Sequence, residues 1–464
     1  MADTCESAPL LAPLLAPLLA PQGPRALRRQ ACCTLASCTG ALSMGLALGW
    51  ASPALLQLAT SLHLSPAQLG WLGGLLPLGG LLAVPWAPWL LGRLGRRGTM
   101  QAASLPTLAG WLCLGLSRQL APLYLGRLLL GLASALQAAS VPVYLGEVAT
   151  PSLRGALAGA FQALVVAGLL AMAAAGTLLS WRQLALFAAP LPCISLLLLH
   201  RLPPSPRWLE EQGRRSEAAQ VRAWLADTEV VEEEEVEGGQ ADSQPSLNLQ
   251  EVVRDRVSRR LVLYMVAISL CNQLCGSNVL ITFTDTILAR AGLAMEPGLA
   301  GLAVCALMLV TTLASTPLIH RVDRKTVLAS SLTFCSLSLA ILATHFHLSP
   351  TSPSPIPLAC LILHLVSFSL GMGPLTFTLL SDFSVPRLAS VAATATGLAA
   401  WTSAGLLTLL FPVLEAAVGL PAVFGAFAAL SGGGAGLAAW VLPETRGRSA
   451  AQVEAALRGP ARLL

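Results

Sequence analysis

Four amide side chains are the residues of this sequence best placed by type and spacing to do chemistry. Gln162, Asn272, Gln273 and Asn278 are each set inside an otherwise apolar run. An amide both donates and accepts hydrogen bonds and carries no charge. In hydrocarbon such a group must find a partner or line a wet cavity. Asn272 and Gln273 are adjacent and cannot share one helix face, whereas Asn278 returns near Asn272 after nearly two turns. A single Gln would read best as a helix-to-helix link, worth about 0.6 kcal/mol per pair in membranes. Four of them read better as the lining of a cavity, with Gln137 as a lesser member.

Charged residues form a second set. Two short basic turns, Gly92-Arg-Leu-Gly-Arg-Arg97 and His320-Arg-Val-Asp-Arg-Lys325, supply Arg93, Arg96, Arg97, Arg321 and Arg324. Glu147, Asp382 and Glu444 close apolar runs, with Arg154 and Arg446 nearby. Such groups can pair when a pore is shut at one end and rearrange when it opens. SGGGAG at 431–436 lies in an apolar run and lacks the Lys and Ser/Thr of a phosphate loop, so close helix packing explains it. The eleven cysteines have no repeating spacing and read as small hydrophobes. No cofactor, metal or enzyme chemistry is expected.

The elements that must position these groups are membrane helices. Of 464 residues 55% are hydrophobic and only 11% charged, with a mean hydropathy of +0.70, where a soluble chain carries roughly 25% charge. Apolar runs lie near 31–58, 67–91, 99–117, 121–145, 156–180 and 183–200, and again near 261–287, 298–319, 326–347, 357–381, 389–416 and 420–442. The expectation is an all-α membrane protein of 12 transmembrane helices in two six-helix, pseudo-symmetric halves, 31–200 and 261–442. A polar linker, 201–260, carries the acidic run Glu232 to Glu237, and tails occupy 1–30 and 443–464. Pro every four residues in the first tail would break a helix there.

With that tail placed inside, all but Arg118, Arg127, Arg182 and Arg290 of the 28 basic residues fall on the inner side, so both termini are expected in the cytosol. The net charge of +5 requires no nucleic acid. The basic turns, Glu147-x-x-x-Pro151 against Asp382-x-x-x-Pro386, and Leu202-Pro203 against Leu442-Pro443 recur at offsets of 228 to 240 residues, as duplication of a six-helix unit requires. Two such halves about an axis along the membrane normal are the architecture of the major facilitator superfamily, with its site at the midplane.

The sequence resembles the sugar porters, in particular the facilitative glucose transporters of solute carrier family 2. The motifs are LSMGLALGWASP, GRLLLG, PVYLGEVATPSLRGALAGAFQ, SPRWL, NQLCGSN, GMGP and LPETRGRS, in family order over nearly the whole chain. The resemblance implies that Gln162, Gln273 and Asn278 occupy sugar-coordinating positions, with Asn272 where the family usually has Gln. It also implies aromatic faces for a pyranose at Trp401 and at Phe377, the latter in place of a Trp, while Thr282 and Phe283 replace a Tyr pair. Gly92, His320 and Pro204 stand where the family has acids, so the inner gate is expected to rest on fewer ion pairs.

The implied activity is facilitative transport of a hexose such as glucose by alternating access. Proton-driven relatives carry an acid in the first span, and Leu42 to Pro53 has none; Asp285 lies toward the outer end of its span. His364, the one interior titratable group that could substitute, reads better as a helix-to-helix link. The other readings are a proton-coupled sugar or polyol symporter, a carrier of a disaccharide or other small solute, and a sugar sensor or scaffold that no longer transports. Glu6, Leu10 and Leu11 match the acidic dileucine sorting pattern of one branch of the family, which implies a clathrin adaptor as partner. Plasma membrane and endosomal or lysosomal membrane both fit.

Overall fold

The computed structural model describes residues 24–149, 154–227, 247, 249–292, 295–348, 354–446, 448 and 450–458. Apart from loops and one 3₁₀ turn, the described residues are helical. The acidic run of the linker and the sorting residues Glu6, Leu10 and Leu11 lie outside the described residues.

Among the described residues nine helices are long and apolar enough to cross a bilayer, or ten when Pro66–Ala83 and Ala87–Arg93, bent by 52°, count as one. Ala389–Trp440 holds 52 residues, about 78 Å if straight, and Gly419 at φ 81° breaks it into two passes. Gly95–Leu116, whose first turn carries Arg96 and Arg97, falls short of that apolar measure but packs along Leu120–Val148 and is counted with the passes. The twelve passes are α1 (Arg25–Ser61), α2 (Pro66–Ala83 with Ala87–Arg93), α3 (Gly95–Leu116), α4 (Leu120–Val148), α5 (Arg154–Gly176), α6 (Trp181–His200), α7 (Arg256–Arg290), α8 (Pro297–Arg321), α9 (Arg324–Leu348), α10 (Ile356–Leu370 with Met372–Phe383), α11 (389–418) and α12 (420–440). Three short helices, Pro206–Glu211, Arg215–Ala226 and Leu249–Arg254, lie between α6 and α7, and Ala450–Arg458 follows α12.

The first helix begins at Pro24, inside what reads as tail, because proline is tolerated in a first helical turn. Arg29 and Gln30 reach the main-chain oxygens of Trp224 and Leu225, fastening α1 to the linker. That end of the bundle, where the chain ends and linker gather, is the terminal end; the opposite end is distal. Arg127, one of the four basic residues that the sequence leaves on the outer side, is buried within the bundle. It donates to Leu72 O at 2.9 Å and Ala47 O at 2.8 Å, with its charge over the Trp50 ring.

Helices α1–α6 pack on one another, as do α7–α12. Between the two groups, α2 lies along α11, α5 along α8, and the distal part of α1 on that of α7. Close backbone approach makes the first of these contacts: a Cβ on Gly70 would stand 2.2 Å from Leu409 O. Small residues at such crossings let dispersion act where the hydrophobic effect gives no preference.

Candidate functional site

Two passes are discontinuous at mid-depth. α7 breaks at Cys275–Gly276, where Gly276 takes φ 81°, a conformation that costs any L side chain energy. α10 breaks at Gly371, and Ser331 of α9 repairs the gap, donating to Ser367 O at 2.8 Å and accepting from Met372 N at 3.1 Å. Broken helices expose polar backbone in a membrane only where protein or a wet cavity satisfies it.

The break separates Asn272 and Gln273 from Asn278, so the face relation expected from one continuous helix does not hold. Gln273 Nε2 donates to Asn272 Oδ1 at 3.1 Å. Asn272 Nδ2 in turn donates to Thr376 Oγ1 on α10 at 2.9 Å. Asn278 is half-buried and heads the stripe Asn278, Ile281, Thr282 and Asp285. Thr282 and Phe283 of that segment meet Gly73 of α2, and Asp285 N bonds Ser52 Oγ of α1 at 3.0 Å. Gln162, also half-buried, shares a stripe with Val166 and Leu169, which pack against Val304 and Met308 of α8. Both stripes therefore face the seam between the halves.

Trp401 is half-buried at that seam, its ring where a Cβ on Gly80 would fall. Phe377 belongs to α10, and its side chain lies outside the described residues, as does that of Arg154. Phe283 stacks on Phe411 with ring centroids 5.0 Å apart. Gln137 is buried within the first half, its Oε1 directed at Gly40. Toward the distal end, a cavity of about 20 Å³ between the halves is lined by Ser52, Asp285, Gly301 and Cys305. It is large enough for a water molecule and far too small for a sugar, and at the same end Gly70 of α2 meets Leu409 of α11, so the halves are in contact there.

At the terminal end the expected ion pairs form within each half. Arg96 donates to Glu147 at 2.8 Å and to Glu211 at 2.9 Å, while Ser205 donates to the second Glu147 oxygen. Glu211, which the sequence reading did not single out, brings a second carboxylate to Arg96. Arg97 donates to Leu202 O at 2.6 Å, and exposed Arg93 lies over Trp89. In the second half Arg324 pairs with Asp382, which also accepts from Thr445 Oγ1 at 2.7 Å. Contrary to expectation, Glu444 makes no ion pair with an arginine guanidinium among the described residues. Its oxygens accept from the main-chain N–H of Arg324 and Lys325, capping α9. Arg446 reaches Asp323 at 3.3 Å, and Arg321 lies exposed.

A family model described as "Sugar (and other) transporter" matches residues 33–457. The chain belongs to this family. Among curated relatives, the facilitated trehalose transporter Tret1 of Bombyx mori is 28% identical over 91% of this chain and 86% of its own length. Tret1 of Drosophila mojavensis is also 28% identical over 91% of this chain, which spans only 51% of that protein. In architecture the porter is similar to two structures of XylE. One is the major facilitator superfamily proton:xylose symporter bound to 6-bromo-6-deoxy-D-glucose, at TM-score 0.73 and 17% identity over 92% of this chain and 99% of that one. The other is the inward-open xylose transporter from E. coli, at 0.73 and 17% over 91% and 98%. The porter thus has the all-α fold of the major facilitator superfamily and is a multi-pass membrane carrier, not an enzyme.

Sequence reading of this porter missed Thr376, Glu211, Ser205 and Thr445. Only Ser205 and Thr445 carried a signal, each lying just beyond the Leu-Pro that closes its half. His364 bridges helices as expected, within 2.9 Å of Ser277 Oγ and 3.3 Å of Ser338 Oγ. The glycines of SGGGAG divide: Gly432 and Gly434 face Ser336 and Cys271, whereas Gly433 and Gly436 have open space around them.

Proposed function

We propose that this porter carries a neutral sugar, a hexose such as glucose, down its own gradient by alternating access. The observation that carries the reading is the break of α7 at mid-depth with Asn272, Gln273 and Asn278 beside it, packed against the similarly broken α10. Uncharged amides match the hydroxyls of a pyranose, and Gln162 and Trp401 belong to the same seam. The facilitated trehalose transporters among the relatives support downhill movement of a sugar and keep a disaccharide among the cargoes to be tested. The two six-helix halves, the cytosolic termini, the sorting role of Glu6, Leu10 and Leu11 with its adaptor partner, and the endosomal or surface membrane belong to this same reading.

The test is counterflow in proteoliposomes with labelled glucose, galactose, trehalose and a polyol. Exchange of a hexose, reduced in Gln162→Ala and Gln273→Ala, is expected. Exchange of trehalose or the polyol alone would redirect the cargo, and no exchange of any solute would favour a sensor or scaffold. A second reading, proton symport, is favoured by buried Asp285 at the seam. Collapsing the proton gradient decides between the two: an unchanged rate supports uniport, and loss of uptake supports symport.

A further inference from the structure

The hydrogen bonds around Asn272 have a polarity set by one main-chain carbonyl. Thr376 is the buried threonine one turn after the break of α10, and its Oγ1 lies 2.7 Å from Met372 O. A carbonyl oxygen only accepts, so the single hydroxyl proton of Thr376 is committed there. Oγ1 is then left as an acceptor, and Asn272, 2.9 Å away, must present its N–H₂ rather than its oxygen. With that amide group so turned, Asn272 Oδ1 faces Gln273 and accepts from Nε2 at 3.1 Å. Gln273 Oε1 is thereby the amide oxygen that remains for a guest. Orientations that are ordinarily interchangeable for an amide are fixed here by logic running from Met372 through three side chains.

We propose that Thr376 is a specificity-determining positioning residue, which orients Asn272 and through it makes Gln273 present an acceptor to a hydroxyl of the sugar. This rests on the functional reading above. Thr376 touches no substrate in this scheme; it acts by holding two amides against flipping. Without its hydroxyl, Asn272 loses its fixed partner, both amides can turn, and Gln273 offers N–H or oxygen to a guest with little preference. Discrimination between sugars that differ by one hydroxyl should therefore suffer, with the rate of the conformational cycle preserved.

The experiment is hexose exchange by the full-length protein in proteoliposomes, comparing Thr376→Val and Thr376→Ser with the unchanged chain over glucose and its singly deoxygenated analogues. The expected result for Thr376→Val is a KM higher by about three- to tenfold, the range one hydrogen bond is worth. Maximal rate should stay within about twofold and the analogues should be discriminated less, and Thr376→Ser should restore all three values. Thr376→Ala, which removes the hydroxyl without adding bulk, serves in the same assay if Thr376→Val does not assemble. Unchanged KM and discrimination in Val and Ala, or failure of Ser to restore them, overturns the proposal while leaving the carrier reading intact. Absence of hexose exchange by the unchanged chain overturns the carrier reading and this proposal with it.

Discussion

Thr445 donates its hydroxyl to Asp382 at 2.7 Å, on the carboxylate that also receives Arg324. Ser205, Glu147 and Arg96 repeat the arrangement in the first half, with the three residues displaced by 240, 235 and 228 positions. In each case a hydroxyl just beyond the last helix of a half holds an acid at the end of another, and an arginine from the basic turn completes the set. The halves differ in what is added: Glu211 reaches the arginine itself in the first, whereas Glu444 caps a helix in the second.

That difference predicts unequal costs for the two partners of Arg96. Glu147 and Arg96 are about one-tenth exposed, and Glu211 is 43% exposed. Removing the sheltered acid leaves a sheltered cation poorly paired, so Glu147→Gln should cost about 3 kcal/mol. Glu211→Gln, solvated and with Glu147 still in place, should cost less than about 1 kcal/mol. Thermal unfolding of the purified variants checks the order, and equal losses would contradict it.

Gly276 carries the break in α7. Its φ of 81° strains any L side chain, and a Cβ there would stand 3.2 Å from the Phe427 ring, which must give by a few tenths of an ångström to admit it. Gly276→Ala should lower stability by about 1–2 kcal/mol from the backbone alone. Sugar affinity should fall as well, because the break sets Asn272 and Asn278 apart. A variant with native melting temperature and native affinity would show that the break tolerates a side chain.

Asp255 gives a pH-dependent prediction outside the membrane. It caps α7 by accepting from Ser258 N at 3.1 Å, and the Ser258 hydroxyl on the same carboxylate holds its pKa below the usual 3.8. A depressed pKa means that the cap's stabilisation is fully present above the unfolded value and is lost as pH falls through the folded one. Asp255→Ala should therefore cost about 1 kcal/mol at pH 7, with the difference between variant and unchanged protein closing below about pH 4. Denaturation of the two proteins across pH 3 to 7 measures it; a gap that widens on acidification would contradict the assignment.

The sequence reading reached the amides because polar side chains are scarce in these apolar runs, and it reached the all-α membrane fold because most of the helices are continuously apolar. It did not reach the breaks. With 40 glycines and 32 prolines in the chain, nothing local distinguishes Gly276 or Gly371 from the glycines that serve helix crossings. Glu211 was hidden in a polar linker, where a carboxylate is solvated by default. Thr376 was hidden for another reason: a threonine in a membrane helix ordinarily bonds the carbonyl one turn back, and only the approach of Asn272 from another helix gives that bond a consequence.

The distal seam supplies the last prediction. Gly70 and Gly74 of α2 meet Leu409 of α11 at main-chain distance, the first with its would-be Cβ 2.2 Å from Leu409 O. This contact joins the two halves and lies inside neither, so a methyl at Gly70 opposes closure of the seam while leaving each bundle free to fold. Gly70→Ala should yield a protein that assembles in the membrane but favours the distally open state, with exchange falling at least about tenfold, as a 1.4 kcal/mol bias against one state of the cycle requires. Thiol labelling of a cysteine placed at Ser52, half-buried at the seam, should accelerate in that variant. Labelling as slow as in the unsubstituted seam, with exchange intact, would mean that the contact at Leu409 is not what holds the halves together.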